Sequence, residues 1–403
     1  MLSANDDAVT AAKLLSAAAV RERCAVVFAA AESGDTRHFR LDLRRLGAVA
    51  DRVARVTRRR YPELAVPYHS RWRHFSAGGI EREPLVAAKA DAGEQARARI
   101  DLAVVSVLLD GGAGHGWQYR EEETGRVLQR SEGLAVASLR AMQQGLFSAD
   151  PASPWRADAA ALSQITPGWL ADAFQHASDN ELLGLENRAG LLRRLGEVCA
   201  ADPVRFGAPA RPGNLCDYWR RQGGALTASE ILRTLLHALG AIWPARISMG
   251  GLPLGDCGRH RAVPGDGLVP FHKLSQWLAY SLIEPLEASG LRVGALDGLT
   301  GLAEYRNGGL FLDGGVIVPC DPDLLTRPLD ALSEPVVEWR ALTVALLDRL
   351  APEVRERLGR RAGEFPLACV LEGGTWAAGR EIAFERRSDG SAPITIISDG
   401  TLF

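Results

Sequence analysis

Only three lysines, Lys13, Lys89 and Lys273, occur in a chain that otherwise meets its need for positive charge with arginine, 44 of 47 basic residues. Arginine serves wherever a permanent charge is enough, whereas a desolvated lysine can lose its proton and act as nucleophile or base. The segment Val269-Pro-Phe-His-Lys-Leu-Ser-Gln-Trp-Leu-Ala-Tyr-Ser-Leu-Ile283 is apolar at helical spacing, with Pro270 near its start. That pattern places Lys273 in the first turn of a largely buried helix. Lys13 and Lys89 lie in alanine-rich, ordinary surroundings. The plain structural alternative for Lys273 is a side chain that snorkels from a helix end to water.

Its strongest partner in the sequence is Glu304, 31 residues downstream in the apolar, glycine-bearing stretch Leu299-Thr-Gly-Leu-Ala-Glu-Tyr-Arg-Asn-Gly-Gly309. A helix and its return loop bring two such positions together. A carboxylate beside an ammonium in a desolvated cleft suits cleavage of a glycosidic bond, because the oxocarbenium-like transition state needs negative charge near C1 and a proton for the leaving group. A structural salt bridge satisfies the same spacing.

A second cluster, Val66-Pro-Tyr-His-Ser-Arg-Trp-Arg-His-Phe-Ser-Ala-Gly-Gly79, gathers His69, Arg71, Arg73 and His74 around Trp72. It is suited to an anion such as phosphate, and its His-x4-His spacing lacks the third ligand of a zinc site. In Val104-Val-Ser-Val-Leu-Leu-Asp-Gly-Gly-Ala-Gly-His-Gly116 an apolar run enters a glycine-rich loop, but the spacing is not G-x-G-x-x-G and no helix is expected next. Asp110 at the end of that run is a candidate ligand for sugar hydroxyls. No G-x-x-x-x-G-K-[ST] loop, G-x-S-x-G elbow or H-E-x-x-H helix occurs, which removes support for P-loop, serine-esterase and zincin chemistry.

The elements that must hold these residues read as mainly helical. Leu41, Leu43, Leu46, Val49, Val53 and Val56 share one helical face ahead of the solvated run Arg58-Arg59-Arg60. Residues 116–130 alternate about Thr124-Gly125 and predict a β-hairpin, followed by a helix capped by Ser131. Helices are expected to dominate to about residue 285, then a hairpin over 310–318 with Asp313-Gly314 at its turn, two helices between Glu334 and Arg361, and a third hairpin over 380–397. Asp110-Gly-Gly, Asp313-Gly-Gly and Glu372-Gly-Gly all read as turns. With no linker-like segment, 1–403 reads as one catalytic unit with approximate lobes 1–130 and 131–403.

The chain has 403 residues, 47% hydrophobic and 24% charged, with a net charge of -2. That balance fits a globular protein and offers a polyanion no overall attraction, so nucleic acid is not an expected partner. The acidic N-terminal residues and the absence of a long apolar run argue for a cytoplasmic protein with no membrane partner. Six cysteines without a C-x-x-C pair give neither a zinc ribbon nor a disulfide framework.

Five stretches, Pro67-Tyr-His-Ser-Arg-Trp-Arg-His-Phe75, Arg130-Ser-Glu-Gly-Leu-Ala-Val-Ala-Ser138, Leu299 to Gly309, Leu371-Glu-Gly-Gly-Thr-Trp-Ala-Ala-Gly379 and Ser398-Asp-Gly-Thr-Leu-Phe403, resemble the signatures of the fungal and bacterial uracil-catabolism (URC pathway) family long labelled a domain of unknown function. The likeness spans nearly the whole chain. It implies a route in which a cyclohydrolase-like enzyme opens the uracil ring of a nucleotide, with which this protein would associate, and a later step that frees urea from ribose.

A more distant resemblance links His272-Lys-Leu-Ser-Gln276, Ala303-Glu-Tyr-Arg306 and Phe174 to Arg188 to the queuosine-nucleotide N-glycosidase family, whose fold is similar to helix-hairpin-helix DNA glycosylases. It implies a two-lobed helical fold of that kind with small antiparallel β-hairpins, and catalytic roles for Lys273 and Glu304. The chain departs from that family in having glutamate for aspartate at 304 and in lacking the Val-Pro-Gln that follows. It also lacks the Leu-Pro-Gly-Val-Gly hairpin by which DNA glycosylases grip a backbone, which favours a small nucleoside-like substrate over a polymer.

The expectation is an N-glycosidase acting on a ribosylurea-type intermediate, as its 5'-phosphate, with no cofactor and no metal. Arg71, Arg73 and Arg306 are then candidates for phosphate and Asp110 and Gln276 for hydroxyls, with His69 and Tyr305 also facing substrate. The alternatives are an amide or urea-type hydrolase on the same intermediate, and a non-catalytic scaffold or regulatory partner of the ring-opening enzyme.

Overall fold

The longest element, the helix Glu334–Leu358, carries an internal proline at Pro352 and yet runs unbroken for 25 residues. Proline in a helix costs about 3 kcal/mol. Beyond it Val354 and Leu358 are still buried, and burying two such side chains contributes roughly 3–6 kcal/mol, enough to carry the helix past the defect. One helix therefore stands where two were expected, ended by Gly359 in the left-handed conformation.

In the computed structural model, which describes residues 4–114, 116–243 and 246–397, the chain divides into two compact units interleaved in sequence. The first is made of residues 1–69, 245–276 and 295–398, and the second of 70–244, 277–294 and 399–403. Lobes split at residue 130 are thus corrected: N-terminal helices pair with C-terminal ones, which no contiguous cut allows. The Ser398 to Phe403 signature and His115 lie outside the described residues.

In the first unit, Glu334–Leu358 packs on the helices Ala17–Ser33 and Leu46–Arg60. Val20, Cys24 and Val27 meet Val337, Ala341 and Val344 in a core that also takes in Val269, Phe271 and Ala303. The helix Tyr305–Asp313 packs on Trp376–Arg386. A hairpin over 310–318 does not form, because Glu304 caps a helix that runs through to Asp313, and Ile317–Pro319 pairs instead with the distant Phe39–Leu41, antiparallel. The tail is likewise not a hairpin: its first part is helix to Arg386, and Ile396–Ile397 pairs in parallel with Leu329–Asp330. The antiparallel strands Cys257–Arg259 and Leu268–Pro270 lead into the helix that begins at Lys273.

The second unit is built around Ala92–Leu108, buried continuously from Ile100 onward, and Arg130–Gln143. The expected hairpin forms, Gln118–Arg120 against Val127–Gln129. Ser131 does not cap the helix Arg130–Gln143, whose N-terminal end has no side-chain cap. Glu121 beside this hairpin is fully buried between Arg82 and Arg140. Burial pushes its carboxyl up, but hydrogen bonds from Arg82, Thr124 and Arg140 outweigh that and hold it at about 2. The fold is mainly α, with short strand pairs that are mostly antiparallel. Among the described residues no helix is long and apolar enough to cross a membrane.

Candidate active site

Lys273 owes its position to Asp256. The Asp256 carbonyl accepts the Phe271 and His272 amides at 2.9 and 3.2 Å, and its carboxylate accepts the Lys273 amide at 2.9 Å. These bonds turn the chain from strand to helix within three residues, through a left-handed His272 with φ +49°. Such a conformation costs a non-glycine residue about 1–2 kcal/mol. The His272 ring helps to hold it: burial pulls its pKa down, so a neutral ring donates Nε2–H to the Leu14 carbonyl at 2.9 Å. Pro270 ends the strand instead of opening the helix.

One buried guanidinium ties this corner to the segment carrying Glu304. Arg340 binds both oxygens of Asp256 at 2.7 Å, donates to the Ala303 carbonyl at 3.3 Å, and stacks on Phe271 with 4.0 Å from its carbon to the ring centre. Burial pushes Asp256 up, but the Arg340 charge, its hydrogen bonds and the Lys273 amide win, leaving the carboxyl below its ordinary value. Gln276 makes a parallel tie, donating to the Phe271 carbonyl at 3.0 Å and Thr300 Oγ1 at 2.6 Å while accepting the Thr300 amide at 2.8 Å. Its amide thus positions the loop before Glu304.

Glu304 is 8% exposed and caps the helix Tyr305–Asp313, accepting the Arg306 amide at 2.7 Å and the Asn307 amide at 2.6 Å. Burial raises its pKa, against the pull of those two amides and of the positive charges of Lys273 and His69. The ionised carboxylate therefore weakens the fold at pH above its raised value, and that penalty disappears as pH falls and the group protonates. Lys273 and His69 thus both act electrostatically on Glu304. Tyr305 is 37% exposed, whereas Arg306 is buried, with Nη1 on the Gly390 carbonyl at 2.8 Å and its carbon 4.8 Å from the Tyr305 ring centre.

Sequence reasoning missed Glu372. Its Glu-Gly-Gly, read as a turn, lies in a π-helical segment, Leu371–Thr375, between the helices Leu367–Val370 and Trp376–Arg386. Segments of this kind concentrate at functional sites. The buried Glu372 carboxylate accepts from His69 Nδ1 at 2.9 Å, Arg60 Nη2 at 3.0 Å and the Tyr61 hydroxyl at 3.1 Å. Burial raises its pKa, but the hydrogen bonds and charges of His69 and Arg60 outweigh that and lower it. A carboxylate on Nδ1 fixes the tautomer and the orientation of the imidazole.

Gly373 and Gly374 permit that approach, since a Cβ on Gly374 would lie 2.6 Å from the Val53 carbonyl oxygen. Alanine gains about 1 kcal/mol of helix propensity, but overpacking against backbone costs up to about 3 kcal/mol. Gly374→Ala is therefore expected to lower the urea midpoint of unfolding, and an unchanged midpoint would show that the two helices part freely.

Arg71, Arg73 and Asp110 belong to the second unit. Arg71 is fully buried, with Nε on Ser106 Oγ at 2.8 Å and Nη1 on Asp110 at 2.6 Å, the Ser131 carbonyl at 3.1 Å and His74 Nδ1 at 2.9 Å. Burial lowers its pKa against the opposing pull of Asp110, and its Nη2 is buried without a hydrogen-bond partner. Arg73 donates to both oxygens of Glu284 at 2.6 and 2.9 Å. Of the residues singled out from sequence, Lys273, Glu304, His69, Gln276, Tyr305 and Arg306 belong to the first unit and these three do not.

Comparison with known proteins adds a family to this geometry. Residues 13–403 match the family described as Protein of unknown function (DUF1688). The chain is similar to Protein urg3 of Schizosaccharomyces pombe, 40% identical over 406 residues that cover 98% of this chain and 99% of that protein. It is also similar to Uracil catabolism protein 4 of Lachancea kluyveri, 37% identical over 431 residues, 96% and 98% of the two chains.

Proposed function

The chain belongs to the DUF1688 family, and from that membership we propose that it acts in uracil catabolism as an N-glycosidase. It hydrolyses the bond between ribose C1 and the urea nitrogen of a ribosylurea-type intermediate, as the 5'-phosphate. Water adds to C1 as the C–N bond breaks, and ribose phosphate and urea leave. The pathway rests on the name of one relative, Uracil catabolism protein 4.

The observation that carries the reaction is Glu304, a buried carboxyl with a raised pKa, in electrostatic contact with Lys273 and held with it by the Arg340–Asp256 pair. A base whose pKa lies nearer neutrality is more effective in proton transfer. Glu304 takes the proton from the attacking water and steadies the positive charge that grows on the ring. Lys273 gives a proton to the departing urea nitrogen, which otherwise leaves as a poor anionic group. His69, oriented by Glu372, faces the ribose hydroxyls. Acid–base chemistry of these groups completes the hydrolysis without a cofactor. The phosphate falls to Arg306, which belongs to the same unit as Lys273 and Glu304.

Purified protein is expected to release urea and reducing sugar from ribosylurea 5'-phosphate, with Lys273→Met slower by roughly 10²-fold or more, the usual worth of a positioned proton donor. Equal rates in a folded Lys273→Met protein would remove Lys273 from the mechanism.

A further inference from the structure

Four arginines and two carboxylates surround a hollow of about 300 Å³ in the second unit. Their charges are unequally matched. Arg97 binds Asp217 at 2.7 Å and Glu94 at 3.4 Å. Arg211, 2% exposed, binds Glu94 at 2.5 Å and the buried Asp101 at 2.7 Å. These two cations are neutralised and fixed in place.

Arg156 and Arg221 are held less closely. Arg156 has only a long ion pair with Asp150, at 3.8 Å and beyond hydrogen-bond reach, and its Nε is buried without a hydrogen-bond partner. Arg221 donates to the Val204 carbonyl at 3.0 Å and meets no carboxylate among the described residues. Two guanidiniums lining one hollow, one held by a long ion pair and the other by no carboxylate among the described residues, form an arrangement that a phosphate dianion completes, since the planar fork of arginine matches phosphate oxygens two at a time.

We propose that this hollow is a binding site for a sugar phosphate, with Arg156 and Arg221 on the phosphate and Glu94 and Asp217 accepting from the sugar hydroxyls. The two carboxylates keep lone pairs beyond those used by Arg97 and Arg211, which supplies the acceptors that inorganic phosphate would not use. The volume sits at the small end of ligand pockets, and a net charge of -2 gives a polyanion no general attraction. The catalytic residues proposed above all belong to the other unit, so this site neither requires nor supplies the glycosidase reading.

Isothermal titration calorimetry of the full chain at constant ionic strength tests it, with ribose 5-phosphate, inorganic phosphate and ribose as probes. Lys273→Met removes one charge of the proposed catalytic site, and any binding that remains there is recognised by its indifference to Arg221→Gln. In that background ribose 5-phosphate is expected to bind saturably, and more tightly than inorganic phosphate or ribose. Adding Arg156→Gln or the surface change Arg221→Gln is expected to weaken it roughly tenfold or more, as loss of a charge-assisted contact does. Urea release by the single variants Arg156→Gln and Arg221→Gln stays at the wild-type rate. No saturable binding in the Lys273→Met background, or binding indifferent to Arg221→Gln, would overturn the site. Failure of urea release in wild type leaves this result untouched.

Discussion

Replacing Glu304 by glutamine is expected to lower kcat/KM for ribosylurea 5'-phosphate by about 10³-fold, a loss of about 4 kcal/mol in transition-state stabilisation. The amide keeps the size of the side chain but cannot take a proton from water, and it places no negative charge beside C1. It also disturbs the helix cap, because its NH2 faces one of the two amides that the carboxylate accepts, at a cost of about 1 kcal/mol in stability.

The two effects separate. Glu304→Asp keeps the charge on a residue type that caps helices well, and is expected to retain stability and a measurable fraction of the rate. A Glu304→Gln protein that loses only stability would reduce Glu304 to a cap. The pH profile gives an independent reading, since burial raises the Glu304 pKa: the acid limb of kcat/KM is expected at higher pH than an ordinary glutamate gives.

Arg340→Met is expected to cost about 3–5 kcal/mol of stability, because it leaves the Asp256 carboxylate in a low-dielectric corner without its counterion. Asp256 is depressed in the folded state, so its contribution is present above the ordinary aspartate pKa and is lost as pH falls through the depressed one. The gap between wild type and Arg340→Met in chemical denaturation should therefore narrow in acid. The double variant Asp256→Asn, Arg340→Met removes both charges and is expected to recover part of the stability. It should not recover activity, since the links to the Lys273 amide and the Ala303 carbonyl remain weakened. Recovery of both would mean that the pair merely packs.

Lys273 and Glu304 were conspicuous as candidates in the sequence because each breaks a local pattern, a lysine where arginine is the rule and a carboxyl in an apolar stretch. Asp256 and Arg340 were not, since an acid and an arginine 84 residues apart look like any surface charges until the fold buries them together. Glu372 was hidden for a different reason. Acid followed by two glycines signals a turn, and only packing against Val53 and Thr57 shows those glycines to be a helix contact.

Local signals also misled at Asp313-Gly314, where the cap at Glu304 had already committed the segment to helix. They misled between Glu334 and Arg361 as well, where two helices were expected and one runs on past Pro352. The hairpin about Thr124-Gly125 was read correctly because both of its strands are local. The mainly helical class survived these errors, since periodicity over many helices averages them out.

The position of water oxygen in the products tests the central claim most directly. Hydrolysis of ribosylurea 5'-phosphate by the wild-type protein in ¹⁸O-labelled water, quenched early and read by mass spectrometry, distinguishes attack at C1 from attack at the urea carbonyl. The glycosidase reading predicts intact, unlabelled urea and label on the anomeric oxygen of ribose phosphate. Ammonia with label in carbon dioxide or carbamate, and no free urea, would contradict it and identify an amide hydrolase.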